Sequence, residues 1–202
     1  MKTNEERIKN LLEHLDSLDH IHVEDIPQID LYMDQVTTFM EKHLGELKRY
    51  PDDKVLTKTM INNYAKNNLL PAPVKKKYTQ EHILLLVFIY YFKNLLNFTD
   101  IETILSTVTE NHFGEEKLPL SEIYTEVFKL EHKQMENLKN DVMQKFEAAE
   151  QSFPQVEDEE EKSSLQLFSF ICELAFDVYL KKQMIERIAD ELRAENPPVK
   201  KK

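Results

Sequence analysis

"LTKTMINNYAKNNLLPAPVKKKYTQ", residues 56–80, is the stretch that decides the fold. From Lys54 to Lys77 there are six lysines and no Asp or Glu, in a chain whose formal charge is -11. The segments around it are acidic: -7 over residues 1–53, -4 over 78–120 and -9 over 121–196, before a +3 tail. A charge run usually marks a solvated helix face. Such faces mix signs to gain i,i+4 pairs, as "KLEHKQMENLKND" (129–141) does. The block at 54–77 does not mix, so one surface is set apart from the rest.

Within the stretch, Thr57 suits an N-cap and opens a short helix near 58–67. Met60, Ile61 and Tyr64 share its apolar side, leaving Thr59, Asn62, Asn63 and Lys66 on the other. Those are residue types that read DNA. Asparagine pairs bidentately with adenine, threonine donates or meets a thymine methyl, and lysine neutralises phosphate. "NNLLPAPVKKKY" (67–78), with two prolines and a lysine triplet, is too broken for a helix and suits an extended loop or a two-stranded wing. Lys58, Thr59, Asn62, Asn63 and Lys66, with Lys75, Lys76 and Lys77 beside them, form the candidate DNA-binding set.

These residues resemble the MerR-type winged helix–turn–helix, and are more closely similar to an uncharacterised bacterial family, a domain of unknown function with MerR-like features. Met60, Ile61, Asn62, Asn63 and Tyr64 fall on the Thr-Ile-Arg-Tyr-Tyr of a MerR recognition helix, Leu69, Leu70 and Pro71 on its Leu-Leu-Pro, and Tyr78 on the last wing tyrosine. Asn68 stands where the family has glycine, an acceptable exchange because asparagine is the next best residue at a left-handed helix end. Asn62 and Lys76 replace arginines, which keeps charge in the wing and loses the forked geometry. "RYPDDKVL" (49–56) replaces a tight Gly-Val-Ser turn. The resemblance spans about residues 29–108. It implies a DNA-binding transcriptional regulator that works as a homodimer, paired through a long helix after the winged module.

Outside this region the chain is helical in pattern. It has 202 residues and only two glycines, little material for hairpins or phosphate loops. Apolar spacing predicts helices near 4–18 and 29–47, an almost wholly apolar one from Thr79 through Phe92, and one begun by a Thr99–Glu102 capping box. "HIHVEDIP" (20–27) reads as an extended connection. A long charged helix near 121–152 follows, with Ile123, Val127, Leu130, Leu138, Val142, Phe146 and Ala149 as its seam, then the acidic linker "QVEDEEEKSS" and a last helix near 164–194. The expected fold class is mainly α: a MerR-like winged helix–turn–helix with a small two-stranded wing at most, plus a C-terminal long helical hairpin. The expected division is an accessory N-terminal helix (1–27), the winged module (28–110), a dimerisation or regulatory hairpin (111–196) and a basic tail (197–202).

Other chemistry finds little support. His20 and His22 alternate along an extended chain and lack metal-site geometry, and Gly45 and Gly114 stand alone, so no phosphate or dinucleotide fingerprint exists. No cofactor, metal or enzyme activity is expected. Cys172, among apolar residues, reads as a small buried hydrophobe, which fits a reducing cytoplasm. The longest apolar run, "ILLLVFIYYF" (83–92), is ten residues, short of the roughly 18 that span a bilayer, so no membrane is expected. Double-stranded DNA and a second copy are the expected partners, with an effector or protein partner left open. The alternative is a protein-interaction module on a winged-helix scaffold that has lost DNA binding, its basic patch docking an acidic surface or masked by the chain's own "EDEEE" (157–161).

Overall fold

Proline lacks the amide donor that a helix interior needs, and in the described residues every proline falls between helices. The computed structural model describes residues 2–18, 20–115 and 117–196; the basic tail expected at 197–202 lies outside them. Among the described residues the chain is mainly helical: α1 (Asn4–Ser17), β1 (Leu31–Tyr32), α2 (Met33–Leu44), α3 (Lys58–Lys66), β2 (Lys77–Tyr78), α4 (Gln80–Phe92), α5 (Phe98–His112), α6 (Leu120–Glu150) and α7 (Glu159–Glu195). Single 3-10 turns occupy Val23–Asp25 and Gly45–Leu47, so part of the connection after α1 is coiled rather than extended.

Contacts divide the chain into two units, residues 1–19 with 129–184 and residues 20–128 with 185–202. In the first, α1 packs with parts of α6 and α7 around a small core of Ile8, Val142, Phe146, Ala149 and Phe170. Asn4 ties α1 to α7 by donating from Nδ2 to the Ser163 carbonyl at 2.9 Å.

The second unit is built on α4. Nine consecutive residues, from His82 to Tyr90, are buried, because α4 is apolar almost all round and neighbours cover every side. Burying one Leu, Ile or Phe fully is worth about 1.5–3 kcal/mol, so α4 anchors this unit. Val36 and Met40 of α2, Ile61 of α3 and Ile101 and Leu105 of α5 belong to the same core. Tyr124 of α6 joins it too, donating its buried hydroxyl to the Ile21 carbonyl at 2.6 Å. Burial pushes that phenol far above its usual value.

Three local expectations are corrected. Helix α5 starts at Phe98, capped by Asn97, whose Oδ1 accepts from the Asp100 amide at 3.0 Å; the Thr99–Glu102 box does not form. Asp100 is buried and receives Arg193 Nη2 at 2.7 Å and Asn97 Nδ2 at 2.6 Å, which starts the helix two residues earlier than the Thr99 cap would. Most of the acidic run is not linker. Asp158 Oδ1 accepts from the Glu161 amide at 2.7 Å, and Glu159, Glu160 and Glu161 form the first turn of α7, where the helix dipole favours carboxylates. Cys172 is only partly buried, because it lies on a side of α7 that the core of the first unit does not reach.

Candidate nucleic-acid interface

The segment from α2 to α4 holds the candidate residues, and its local chemistry explains its shape. A long turn, residues 48–57, separates α2 from α3 and is pinned from both sides. Glu41 of α2 pairs with Lys48 and accepts from the Val55 amide at 3.4 Å, while Lys93 Nζ donates to the Val55 carbonyl at 2.9 Å. The bond from Lys48 holds the Glu41 carboxyl below its usual value. Thr57 then caps α3 as expected, its Oγ1 accepting from the Met60 amide at 3.2 Å.

Helix α3 is two-sided. Ile61 and Tyr64 are buried, while Lys58, Thr59, Asn62, Asn63 and Lys66 are exposed. Its end is closed by Asn68 at φ 60°, and the amides of Leu69 and Leu70 turn back to the Tyr64 carbonyl at 2.9 and 3.2 Å. Leu69 and Leu70 are themselves buried, which fixes where the chain leaves the helix.

The lysine triplet sits on a tight turn. The Lys77 amide donates to the Val74 carbonyl at 3.0 Å, and the two central residues, Lys75 and Lys76, have φ of 52° and 64°. Positive φ at both central positions is the type I′ pattern, which favours Asn-Gly; a side chain there costs roughly 1–2 kcal/mol per residue. Beyond the turn, β2 pairs antiparallel with β1, setting Leu31 opposite Tyr78 and Tyr32 opposite Lys77. Lys77 Nζ lies 5.6 Å from the exposed Tyr32 ring. Lys75 and Lys76 are exposed, and Lys77 is partly covered.

All eight candidate residues therefore lie in the second unit, on α3, on the turn before β2 and at the first residue of β2. Among the candidate lysines, Lys58 pairs with Asp34 of α2 and Lys77 lies over the Tyr32 ring. The structure adds residues that sequence reasoning missed. An open groove of about 570 Å³ between α2 and α3 is lined by Thr37, Thr38, Glu41, Lys42, Lys54, Leu56, Thr57 and Lys58, so its lysines share it with the Glu41 carboxylate. Lys54 opens the acid-free block and was legible there; Lys42 lies in an acidic segment and becomes a neighbour only through the packing of α2 on α3.

Elsewhere the signals for chemistry are weak. Among the described residues no group of three or more His, Cys, Asp or Glu is arranged to hold a metal ion. One described helix, α7, is long and apolar enough to cross a membrane by length and composition, with a mean hydropathy of 1.2 over an 18-residue window. The dispersed polar residues of that window hid it from a search for unbroken apolar runs.

A family model described as "Domain of unknown function (DUF1836)" matches residues 21–128, more than half of the chain, and the chain belongs to that family. The matched span coincides with the 20–128 segment of the second unit, so the family's shared part contains α3, the lysine turn and the α4 core. No curated protein matches the chain, and no solved structure does.

Proposed function

We propose that this DUF1836-family chain is a DNA-binding regulator that grips duplex DNA with α3 and the lysine turn, acting as a homodimer in the cytoplasm. In this proposal α2 and α3 form a helix–turn–helix of MerR-like type and the turn with β1 and β2 is its wing. Asn62, Asn63 and Thr59 face base edges, and Lys66, Lys75, Lys76 and Lys77 contact phosphates. The groove lysines, Lys42 and Lys54, extend the phosphate track toward the N-terminus of α3, whose positive dipole end favours an anion.

The observation that carries the proposal is the backbone of Lys75 and Lys76. Two lysines occupy adjacent positive-φ positions where asparagine and glycine would fit at lower cost, and both side chains project into solvent. No packing gain offsets that strain, so the charges themselves are the reasonable cause.

Binding of a random-sequence duplex, followed by fluorescence anisotropy across a salt series, tests it. About six phosphate contacts would weaken binding roughly 10³-fold between 50 and 200 mM salt. Reversing Lys75, Lys76 and Lys77 to glutamate is expected to abolish retention at 50 mM and leave the circular dichroism spectrum unchanged. No retention at low salt sinks the proposal, as does a flat salt response.

Two observations favour the second reading, a protein-interaction module. The chain is strongly acidic overall, and Lys58 already pairs with Asp34 within its own unit. That reading gains if the duplex is not retained at any salt while the glutamate triple variant stays folded.

A further inference from the structure

Helix α3 turns three uncommitted polar side chains outward in one stripe. Thr59, Asn62 and Asn63 are related by steps of three and four residues, lie opposite the buried Ile61 and Tyr64, and are all exposed. None of the three side chains has a hydrogen-bond partner among the described residues. Their surroundings differ. Asn67, one turn on, donates from Nδ2 to the Asn63 carbonyl at 2.8 Å. The hydroxyls of Thr37, Thr38, Thr103 and Thr107 fold back onto carbonyls of their own helices, as helical threonines commonly do. Thr59 does not: the carbonyl four residues before it is that of Val55, which lies ahead of the helix and receives Lys93 Nζ at 2.9 Å.

What the stripe can recognise follows from its donors and acceptors. An asparagine side chain presents one acceptor and one donor side by side, the complement of adenine N6–H and N7 in the major groove. Guanine offers two acceptors on the same edge, N7 and O6, so the asparagine oxygen would face O6 with no proton between them. A threonine methyl packs on the thymine methyl. The matched readers of a G·C pair are missing from this segment. Residues 54–77 contain no arginine to fork onto guanine and no carboxylate to accept from cytosine N4. Lysine also reaches guanine, but Lys58 pairs with Asp34, and Lys66 is the last residue of α3, away from the N-terminal part with which a recognition helix reads bases.

We infer that α3 selects A·T base pairs, with Asn62 and Asn63 on adenines and Thr59 on a thymine methyl. From Thr59 to Asn63 the helix rises about 6 Å, close to two base-pair steps of about 3.4 Å, so the selected core is about two or three pairs long. The inference rests on the DNA-binding proposal and deepens it by naming the class of sequence preferred. The lysine turn supplies affinity that ignores sequence, and the stripe supplies the choice.

Competition against a labelled random duplex, read by anisotropy at 50 mM salt with the full chain, tests it. A duplex pool of A·T pairs alone should compete at least about 10-fold better than a pool of G·C pairs alone, the discrimination that one bidentate contact provides. Two base analogues locate the reading without altering the protein. Inosine–cytosine duplexes carry the major-groove edge of G·C and the minor-groove edge of A·T, and should compete like G·C. Replacing adenine by 7-deazaadenine removes the N7 acceptor and should erase most of the A·T advantage. Asn62→Ala with Asn63→Ala, exchanges that favour the helix at exposed positions, should leave the two pools competing equally, with circular dichroism unchanged. Equal competition by the two pools in the unmodified chain overturns the inference. So does inosine–cytosine competing like A·T, which places the reading in the minor groove, and so does a preference that survives 7-deazaadenine or the double variant. A chain that holds duplex with a steep salt response and no A·T preference loses this inference and keeps the functional proposal; a chain that retains no duplex at 50 mM loses both.

Discussion

Helix α4 and the lysine turn that precedes it are neighbours in sequence and opposites in logic. In α4 nearly every residue does what its side chain favours: apolar groups fill a core, and Thr79 begins the helix. In the turn, Lys75 and Lys76 take backbone angles that disfavour them and point into water. Local consistency marks the part of the molecule that exists for stability. Local conflict marks the part that something besides stability has kept.

The largest expected effect tests the first half of that contrast. Leu85→Ala, at a fully buried position in α4, should lower unfolding free energy in urea by about 2–5 kcal/mol. A loss below about 1 kcal/mol would show that α4 is not the anchor of its unit.

The turn should respond in the other direction. Lys75→Asn with Lys76→Gly relieves both positive-φ positions and should raise stability by about 1 kcal/mol in the same assay. It should also weaken duplex binding and flatten the salt slope by about 1 for each lysine lost. Gained stability with unchanged DNA binding would break the link between strain and function.

Thr57→Ala removes the cap that starts α3 and should cost about 1 kcal/mol, within a range of about 0.5–2. Because the outward face of α3 is untouched, the duplex affinity of the folded protein should change little.

The smallest effect concerns His82, the one polar residue in the buried run of α4. His82 is buried, with Nδ1 accepting from the Thr79 amide at 3.0 Å and meeting its hydroxyl at 2.8 Å. Its Nε2 lies near the Pro71 carbonyl, outside hydrogen-bonding geometry. Burial lowers its pKa; the Pro71 carbonyl and the charge of Asp30 oppose that shift. The folded state therefore binds this proton less readily than the unfolded chain. His82's contribution is full above the unfolded value of about 6.5 and is lost as pH falls from there through the lowered folded value. Urea midpoints between pH 8 and pH 5 should fall more steeply in the unmodified protein than in His82→Asn. Equal slopes would show that His82 is not the titrating group.

Much of the helical plan was legible because it rests on local rules. Prolines at 71, 73 and 119 separate elements, Thr57 caps α3, and Asn68 takes the left-handed end of that helix. The start of α5 was misplaced because two capping patterns overlap there, and the choice fell to Asp100, whose partner Arg193 lies 93 residues away. Of the candidate site, the lysine block and the two-sided α3 were visible in the sequence. Lys42 and the Lys58–Asp34 pair were not, because each depends on α2 lying beside α3.

The sequence by itself determined which segments are helical, which one is apolar enough to be an interior, and that one segment carries lysines and no acids. Periodicity, capping and charge are properties of short stretches, and they survive without knowledge of neighbours. The tertiary structure decided what is covered. It buried α4 on every side, left α7 bare on one face, and placed two lysines at positive φ on an exposed turn, because burial and backbone strain depend on which distant segments arrive to pack.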